Sequence, residues 1–195
     1  MSHHIRNLQT TVLSDNWYVL KKASYELLGK NGEWLAQQRE AYDRGNGSVI
    51  LLYNAEAKNV VLTRQFRLPT YLNGNADSYL IEACAGLLDK DSPEDCIRKE
   101  TEEETGYRIG TVQKVFEAYM SPGSVTEILY FFVAPYTNDM KVGNGGGLEE
   151  ETENIEVLEL PFAEALTMIR TGEIKDAKTI MLLQYAQINN LLAVE

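Results

Sequence analysis

The chain has 195 residues, with 18 Lys and Arg against 29 Asp and Glu, a formal charge of −11, and 44% of its residues are apolar. That composition excludes a fibre or a wholly disordered chain and fits one domain with a small appendage, large enough to bury a core without staples. It also argues against holding nucleic acid, because proteins that neutralise phosphates bring clustered Lys and Arg to the backbone; an acidic chain that handles phosphates needs a cation in between.

The polar start, residues 1–10, does not resemble a signal peptide. His3 and His4 are the only histidines and are expected to fray with the terminus. Without an interior imidazole, neither a Ser-His-Asp nor a Cys-His arrangement can be built, and a zinc site lacks its commonest nitrogen ligand. Catalysis is left to carboxylates, Lys, Arg, Tyr or a metal held by oxygen. Residues 17–28 and 34–42 are rich in aromatic and aliphatic side chains, and Gly29, Asn31 and Gly32 between them supply turn chemistry, which predicts a hairpin. The cluster Asp43-Arg44-Gly45-Asn46-Gly47 is a second turn. It divides an N-terminal antiparallel β subdomain, residues 1–44, from a main domain, residues 45–195.

Short β-rich runs follow at 48–53, 59–66, 80–84, 112–119, 128–135 and 155–160. Between them lie three predicted helices. The first, 93–105, has Ser92 to cap it, Pro93 at its first position, Asp95 near the positive end of its dipole and Gly106 to stop it. Residues 161–171 carry Phe162, Ala165, Leu166 and Ile169 at helical spacing, and 177–193 carry Met181, Leu182, Tyr185, Ile188 and Leu192, both read as core-facing. Strands and helices mix without a regular βαβ alternation, so the fold class is α+β with a mixed sheet. Gly143-Asn144-Gly145-Gly146-Gly147 reads as a flexible loop or linker. Cys84 and Cys96 make no disulfide framework, and no apolar run approaches the roughly 20 residues that span a bilayer. The expected address is the reducing cytoplasm.

The most unusual segment is Lys99-Glu100-Thr101-Glu102-Glu103-Glu104-Thr105-Gly106, which puts glutamates in the last turns of the first helix. There they oppose the macrodipole at roughly 0.3–1 kcal/mol each, and they also repel one another. A solvated acidic face is the ordinary reading of such a run. However, Glu100, Glu103 and Glu104 emerge on one helix face, next to a strand ending in Ala83-Cys84-Ala85-Gly86 whose carbonyls add oxygen ligands. An all-oxygen set with open positions suits Mg²⁺ or Mn²⁺, and such ions bridge to substrate phosphates.

Gly86, then Lys99-Glu100, Glu103-Glu104 and Gly106, resemble the box of the Nudix hydrolases: a Gly, a Glu, Arg-Glu, an apolar residue, any residue, Glu-Glu, any residue, Gly. Lys99 stands for the Arg, Thr101 for the apolar residue and Ser92 for the first Glu, and the stretch from Gly86 to Lys99 is one residue short. Lys99 keeps the charge but cannot fork. Further stretches resemble one branch, the GDP-mannose pyrophosphatases related to ADP-ribose pyrophosphatases. They are Leu13-Ser14-Asp15-Asn16, Tyr42-Asp43-Arg44-Gly45-Asn46-Gly47, Arg64-Gln65-Phe66-Arg67, Met120-Ser121-Pro122-Gly123 and Val157-Leu158-Glu159-Leu160-Pro161-Phe162. That branch shares the short box and the Lys; Ser92 and Thr101 stay unexplained.

The resemblance implies an α/β/α sandwich and a Mg²⁺-dependent pyrophosphatase, with Mn²⁺ as a substitute, that splits GDP-mannose into GMP and mannose 1-phosphate. ADP-ribose or another nucleoside diphosphate sugar is the alternative substrate, and a non-catalytic sugar-nucleotide sensor is a more distant one. It implies metal ligation by the Ala85 carbonyl, Glu100, Glu103, Glu104 and Glu151. Glu151 is the base that activates water, with Glu153 as its alternate and Glu104 in the catalytic set. Substrate contacts fall on Trp17, Gln38, Arg39, Glu40, Arg67, Ala85, Gly86, Leu87, Glu104, Glu127, Glu150, Glu151 and Lys178. Composition alone makes 149–153 a solvated acidic loop; beside the glycine stretch it reads as a lid. Trp17 is read either as a base-stacking side chain or as hairpin core, and Arg44 as structural. The branch exchanges its N-terminal strands across a homodimer, which places residues 17–40 in the partner's site. Neither a nucleic-acid nor a membrane partner is expected.

Overall fold

In a computed structural model of the chain, residues 3–88, 90–148 and 153–192 are described. They divide into two compact units, Met1–Asn46 with Tyr119–Ile128, and Gly47–Ala118 with Leu129–Glu195.

The first unit is an antiparallel sheet of β1 (Ile5–Asp15), β2 (Val19–Leu28) and β3 (Trp34–Asp43) in that order. The expected hairpin is β2–β3, in unbroken register from Val19 opposite Asp43 to Leu28 opposite Trp34. β1 is an addition to the sequence reading, which assigned no strand to this stretch of the N-terminal β subdomain. Leu28 N–H donates to the His4 carbonyl at 2.9 Å, and pairing runs from there along the strand. Its residues are almost all exposed, so it has no apolar alternation to read, though β-branched Ile5, Thr10, Thr11 and Val12 favour a strand. Residues 119–128 return to β3, where Tyr42 N–H donates to the Ser124 carbonyl at 2.7 Å and Thr126 N–H to the Tyr42 carbonyl at 3.1 Å. No residue of β1, β2 or β3 is fully buried.

The second unit holds β4 (Gly47–Asn54), β5 (Asn59–Phe66), β6 (Tyr79–Glu82), β7 (Ala85–Leu87), β8 (Gln113–Tyr119), β9 (Ile128–Pro135) and β10 (Glu156–Pro161). They run in the order β10-β5-β4-β9-β8, with β6 on β5 and β7 on β4, and β4 and β9 are parallel. Helices α1 (Leu68–Leu72), α2 (Pro93–Thr105), α3 (Phe162–Thr171) and α4 (Ala177–Ile188) complete it. The mixed sheet with helices is the expected α+β class. No helix among the described residues is long and apolar enough to cross a membrane.

β4 explains the layering. Its residues from Gly47 to Leu52 are buried without alternation, as in a strand covered on both faces. Ile50 and Leu52 share a core with Ile97 of α2 and with Phe132 and Ala134 of β9. Val49 and Leu51 project to the opposite face and are equally buried, and α4 also packs on β4. The two ends of β4 part company: Leu52–Asn54 pair with β5, whereas Gly47–Val49 pair with β7. α2 packs against β4, β5 and β7.

α2 spans the expected residues, and its two unexplained departures find physical reasons. Ser92 is its N-cap, accepting from Asp95 N–H at 3.1 Å. Thr101 is buried, and its hydroxyl donates to the Ile97 carbonyl at 2.6 Å, so it packs where an apolar residue would stand without leaving a polar group unpaired. Gly106, at φ 77°, ends the helix in the left-handed conformation. Residues 143–147 are not a free linker. Gly146 N–H donates to the Glu104 carbonyl at 2.9 Å, Gly147 N–H to that of Glu103 at 3.1 Å, and Gly143 N–H to that of Gly106 at 3.2 Å. These amides supply the donors that the acidic end of α2 lacks.

In α3, Phe162 and Ala165 are buried; in α4, Leu182, Leu183 and Ala186 are. α4 stops at Ile188 rather than 193, because Asn189 and Asn190 follow and Asn190 takes φ 50°. Ile188 is exposed there, contrary to its place in the apolar stripe, while Leu192 beyond it is buried.

A Cβ on Gly145, at φ +68°, would stand 2.3 Å from the Glu104 carbonyl oxygen, whereas Gly110 has open space and no positive φ. Gly145→Ala is expected to destabilise the protein by about 1–3 kcal/mol in urea titration, with Gly110→Ala within about 0.5 kcal/mol of wild type. Equal midpoints for the two variants would show that the loop does not bind the helix end.

Candidate active site

β7 sets Ala85, Gly86 and Leu87 opposite Val49, Ser48 and Gly47. Gly86 is required by its neighbour: a Cβ there would lie 2.2 Å from the Glu100 carboxylate. Glu100 thus rests on the β7 backbone. Cys96 Sγ donates to the Leu87 carbonyl at 3.3 Å and accepts from Ser48 Oγ at 3.3 Å, which ties α2 to β7 and β4.

Glu104 is a strongly perturbed carboxyl near the end of α2. It is buried, and its Oε2 has no hydrogen-bond partner among the described residues. Burial pushes its pKa up to about 8; the Cys84 thiol opposes this, Glu100 and Glu153 add to it by repulsion, and the Arg67 charge draws it down. Cys84, fully buried beside it, is likewise pushed up, first by burial and then by the Glu104 charge. Glu103 is half-buried, with Lys99 Nζ 3.7 Å from its carboxylate; the Lys that replaces the box Arg therefore serves Glu103. Glu102 faces away and is forked by Arg108 at 2.7 and 2.8 Å.

Among the described residues, no cluster of three His, Cys, Asp or Glu side chains stands ready to ligate an ion. The fit for a hard cation rests on Glu104, an oxygen without a partner in a site repelled by two further carboxylates. A divalent ion reverses that repulsion. Glu149, Glu150 and Glu151 lie outside the described residues, so the residue expected as base, the substrate contact Glu150 and part of the expected lid fall there. Glu153 is described. Its carboxylate accepts from Leu148 N–H at 3.2 Å and lies over Gly147, and its charge is felt by Glu104.

Arg67 and Lys178, both expected as substrate contacts, meet on a carboxylate that sequence reasoning missed. Glu82 is 1% exposed, and accepts from Arg67 Nε at 2.7 Å, from Arg67 Nη2 at 3.0 Å and from Lys178 Nζ. Burial would raise the Glu82 pKa, but the Lys178 and Arg67 charges hold it below the ordinary value. A signal was available: Glu82 is the one acidic residue in the run Leu80-Ile81-Glu82-Ala83-Cys84, and a charge in a strand that is otherwise apolar calls for a buried partner.

The remaining candidates lie in the first unit. Trp17 sits between β1 and β2 and is 83% exposed, with its ring edge-on to Tyr18 at 6.2 Å, so the hairpin-core reading is wrong. Gln38, Arg39 and Glu40 are exposed on β3. Arg44 Nε is 3.5 Å from Glu127, with its guanidinium over Tyr18, in keeping with a structural Arg44.

The raised Glu104 pKa fixes a sign. The stability that its neutral, buried form provides is fully present below the unfolded value near 4.5 and is lost as pH rises through about 8. In metal-free protein at pH 8, Glu104→Gln should therefore raise the melting temperature by several degrees, and the gain should vanish at pH 5. A variant no more stable than wild type at pH 8 would refute the uncompensated charge.

Comparison with known proteins covers nearly the whole chain. Residues 4–42 match the family described as GDP-mannose pyrophosphatase NudK N-terminal domain, and residues 43–183 match the NUDIX domain. A GDP-mannose pyrophosphatase of Yersinia enterocolitica is 59% identical over 192 residues, 98% of this chain and 100% of that protein. Proteins of the same name from Enterobacter sp. (strain 638) and Escherichia coli O157:H7 are 57% identical over 193 residues and 55% over 192, covering 99% and 98% of this chain and 100% of each relative. With the NUDIX domain matched over most of its length behind a NudK N-terminal domain, the chain belongs to the Nudix hydrolase family.

Proposed function

We propose that the chain hydrolyses the pyrophosphate bond of GDP-mannose, giving GMP and mannose 1-phosphate, with Mg²⁺ as its metal. The observation that carries this reading is relatedness along both domains to proteins of that activity, at 55–59% identity. The Ala85 carbonyl, Glu100 and Glu104 would hold the ion, and Glu103 and Glu151 would add ligands. A bound cation neutralises the diphosphate and stabilises charge on the departing phosphate.

The protein's own residues supply the rest. Arg67 offers a guanidinium edge to phosphate oxygens, and Lys178 is a second cationic contact for the substrate. β7 presents the backbone of Ala85, Gly86 and Leu87 beside it. Glu151 takes the proton from the attacking water, and Glu150 contacts the substrate; Glu153, already within electrostatic range of Glu104, is the alternate base. Trp17 stacks on the base, and Gln38, Arg39, Glu40 and Glu127 bind the nucleotide and sugar through hydrogen bonds. The reaction belongs in the cytoplasm, in keeping with the buried, reduced thiols of Cys84 and Cys96.

The assembly we propose is a homodimer with exchanged N-terminal strands, each set serving the partner's site. In support, the sheet β1–β3 has no core of its own and exposes Leu8, Val12, Leu13 and Leu35.

Purified protein with Mg²⁺ should cleave GDP-mannose with a higher kcat/KM than ADP-ribose or other nucleoside diphosphate sugars. A preference for ADP-ribose would overturn the substrate, and ligand binding without product release would make the protein a sensor. Glu151→Gln should lower kcat by about a hundredfold or more with the fold intact; near-normal turnover would move the base to Glu153 or Glu150. Light scattering should give twice the chain mass of 22.0 kDa, and Val12→Glu should halve it. A monomeric wild type that is fully active would refute the exchange.

A further inference from the structure

The carboxylate of Glu82 does more than neutralise two cations, because the bonds around it close on themselves. Lys178 Nζ, which donates to Glu82, also donates to Asp176 Oδ1 at 2.8 Å. Asp176 Oδ2 accepts from the N–H and the hydroxyl of Thr179 at 3.0 and 2.6 Å, as the N-cap of α4. Thr179 Oγ1 accepts from Ala83 N–H at 2.7 Å, and Ala83 follows Glu82 in the chain. Two carboxylates and two cations make the circuit neutral, and it fixes the Glu82 side chain from both ends.

Arg67 is the one member that reaches out. Its side chain is 40% exposed, against 2% for Glu82 and 15% for Lys178 and Asp176. Glu82 occupies the Nε–Nη2 edge of the guanidinium, and Nη1 donates no hydrogen bond among the described residues. A planar fork held along one edge has a single orientation for the other. Its charge is felt by Glu104, so the guanidinium lies within electrostatic range of the carboxylate end of α2. An arginine held this way is a preorganised receptor for an anionic oxygen, and the ordering cost is met before the ligand arrives.

We propose that Glu82 is a positioning residue, which fixes the Arg67 guanidinium for the diphosphate of the nucleotide sugar. This rests on the reading above that Arg67 contacts substrate. Glu82 itself touches no reacting atom; it acts through Arg67, while Lys178 and the Asp176–Thr179 pair keep it charged and in place.

The test is steady-state kinetics on GDP-mannose with Mg²⁺ for wild type, Arg67→Ala, Arg67→Lys, Glu82→Gln and the double variant Arg67→Ala/Glu82→Gln. Glu82→Gln should raise KM about tenfold and change kcat by less than about threefold, and the double variant should be no worse than Arg67→Ala alone. Arg67→Lys keeps the charge but loses the fork, so its KM should rise nearly as far as that of Arg67→Ala; this arm stands even if Glu82→Gln does not fold. Wild-type KM in Arg67→Lys, or Glu82 and Arg67 effects that multiply, would overturn the proposal with Arg67 still a substrate contact. Unchanged KM in Arg67→Ala would remove that contact and the proposal with it.

Discussion

The structure turns on one buried carboxyl, that of Glu104, whose Oε2 has no hydrogen-bond partner among the described residues. Leaving a charged oxygen out of water and unpaired costs several kcal/mol, a large share of the 5–15 kcal/mol that holds a typical domain together. Glu104 escapes that cost near neutral pH by keeping its proton, its pKa pushed up to about 8 by burial, on a helix end where ionised acidic groups are already unfavourable and Glu100 lies against Gly86. The fold offsets the backbone part locally. Amides of Gly143, Gly146 and Gly147 meet the carbonyls of Gly106, Glu104 and Glu103, so the helix ends in satisfied bonds although its side chains repel. What is left unpaired is the carboxylate oxygen, and a hard cation is the partner that suits it.

Two buried glutamates in the second unit show how surroundings set the role. Glu82 is as deeply buried as Glu104, yet its pKa is held below the ordinary range, whereas that of Glu104 rises to about 8. Burial acts in the same direction on both. The difference lies in the partners: Glu82 has the Lys178 ammonium and two nitrogens of Arg67, while Glu104 has a thiol, two repelling carboxylates and a share of the Arg67 charge. Glu82 is thereby held as an anion that organises cations, whereas Glu104 is left able to take up a proton. Arg67 is felt by both, so the cation-rich and carboxylate-rich parts of the unit are electrostatically one system.

Most elements of the second unit were legible because local signals agreed with burial. β4 reads as a continuous apolar run and is covered on both faces; α2 carries a cap, a proline and a stopping glycine, and begins and ends where those residues place it. β1 was not legible, since a strand with no buried face leaves no periodicity to detect. The glycine stretch misled for a related reason: glycine is equally the composition of a linker and of a backbone that must approach another closely, and the Gly145–Glu104 contact and the amide bonds of Gly143, Gly146 and Gly147 distinguish them. Within the site, the box glutamates could be read from spacing on one helix, whereas the Glu82–Arg67–Lys178 set comes from three separate segments, which no local pattern links.

The division into two units also bears on selectivity. Cation-assisted cleavage acts on a diphosphate that every nucleoside diphosphate sugar shares, so metal chemistry alone cannot distinguish guanosine from adenosine or mannose from ribose. Discrimination of a base requires buried polar partners or a shaped aromatic surface, because unmatched polar groups are what reject the wrong ligand. In the proposed scheme those groups are Trp17, Gln38, Arg39 and Glu40, carried on a sheet that exposes apolar side chains and has no core of its own. A surface of that kind gains rigidity only when covered, and unordered recognition groups lose affinity to the cost of ordering them. In that scheme selectivity is tied to assembly: dissociation of the proposed dimer should cost discrimination among nucleotide sugars before it costs the capacity to bind metal, whose proposed ligands all belong to the second unit.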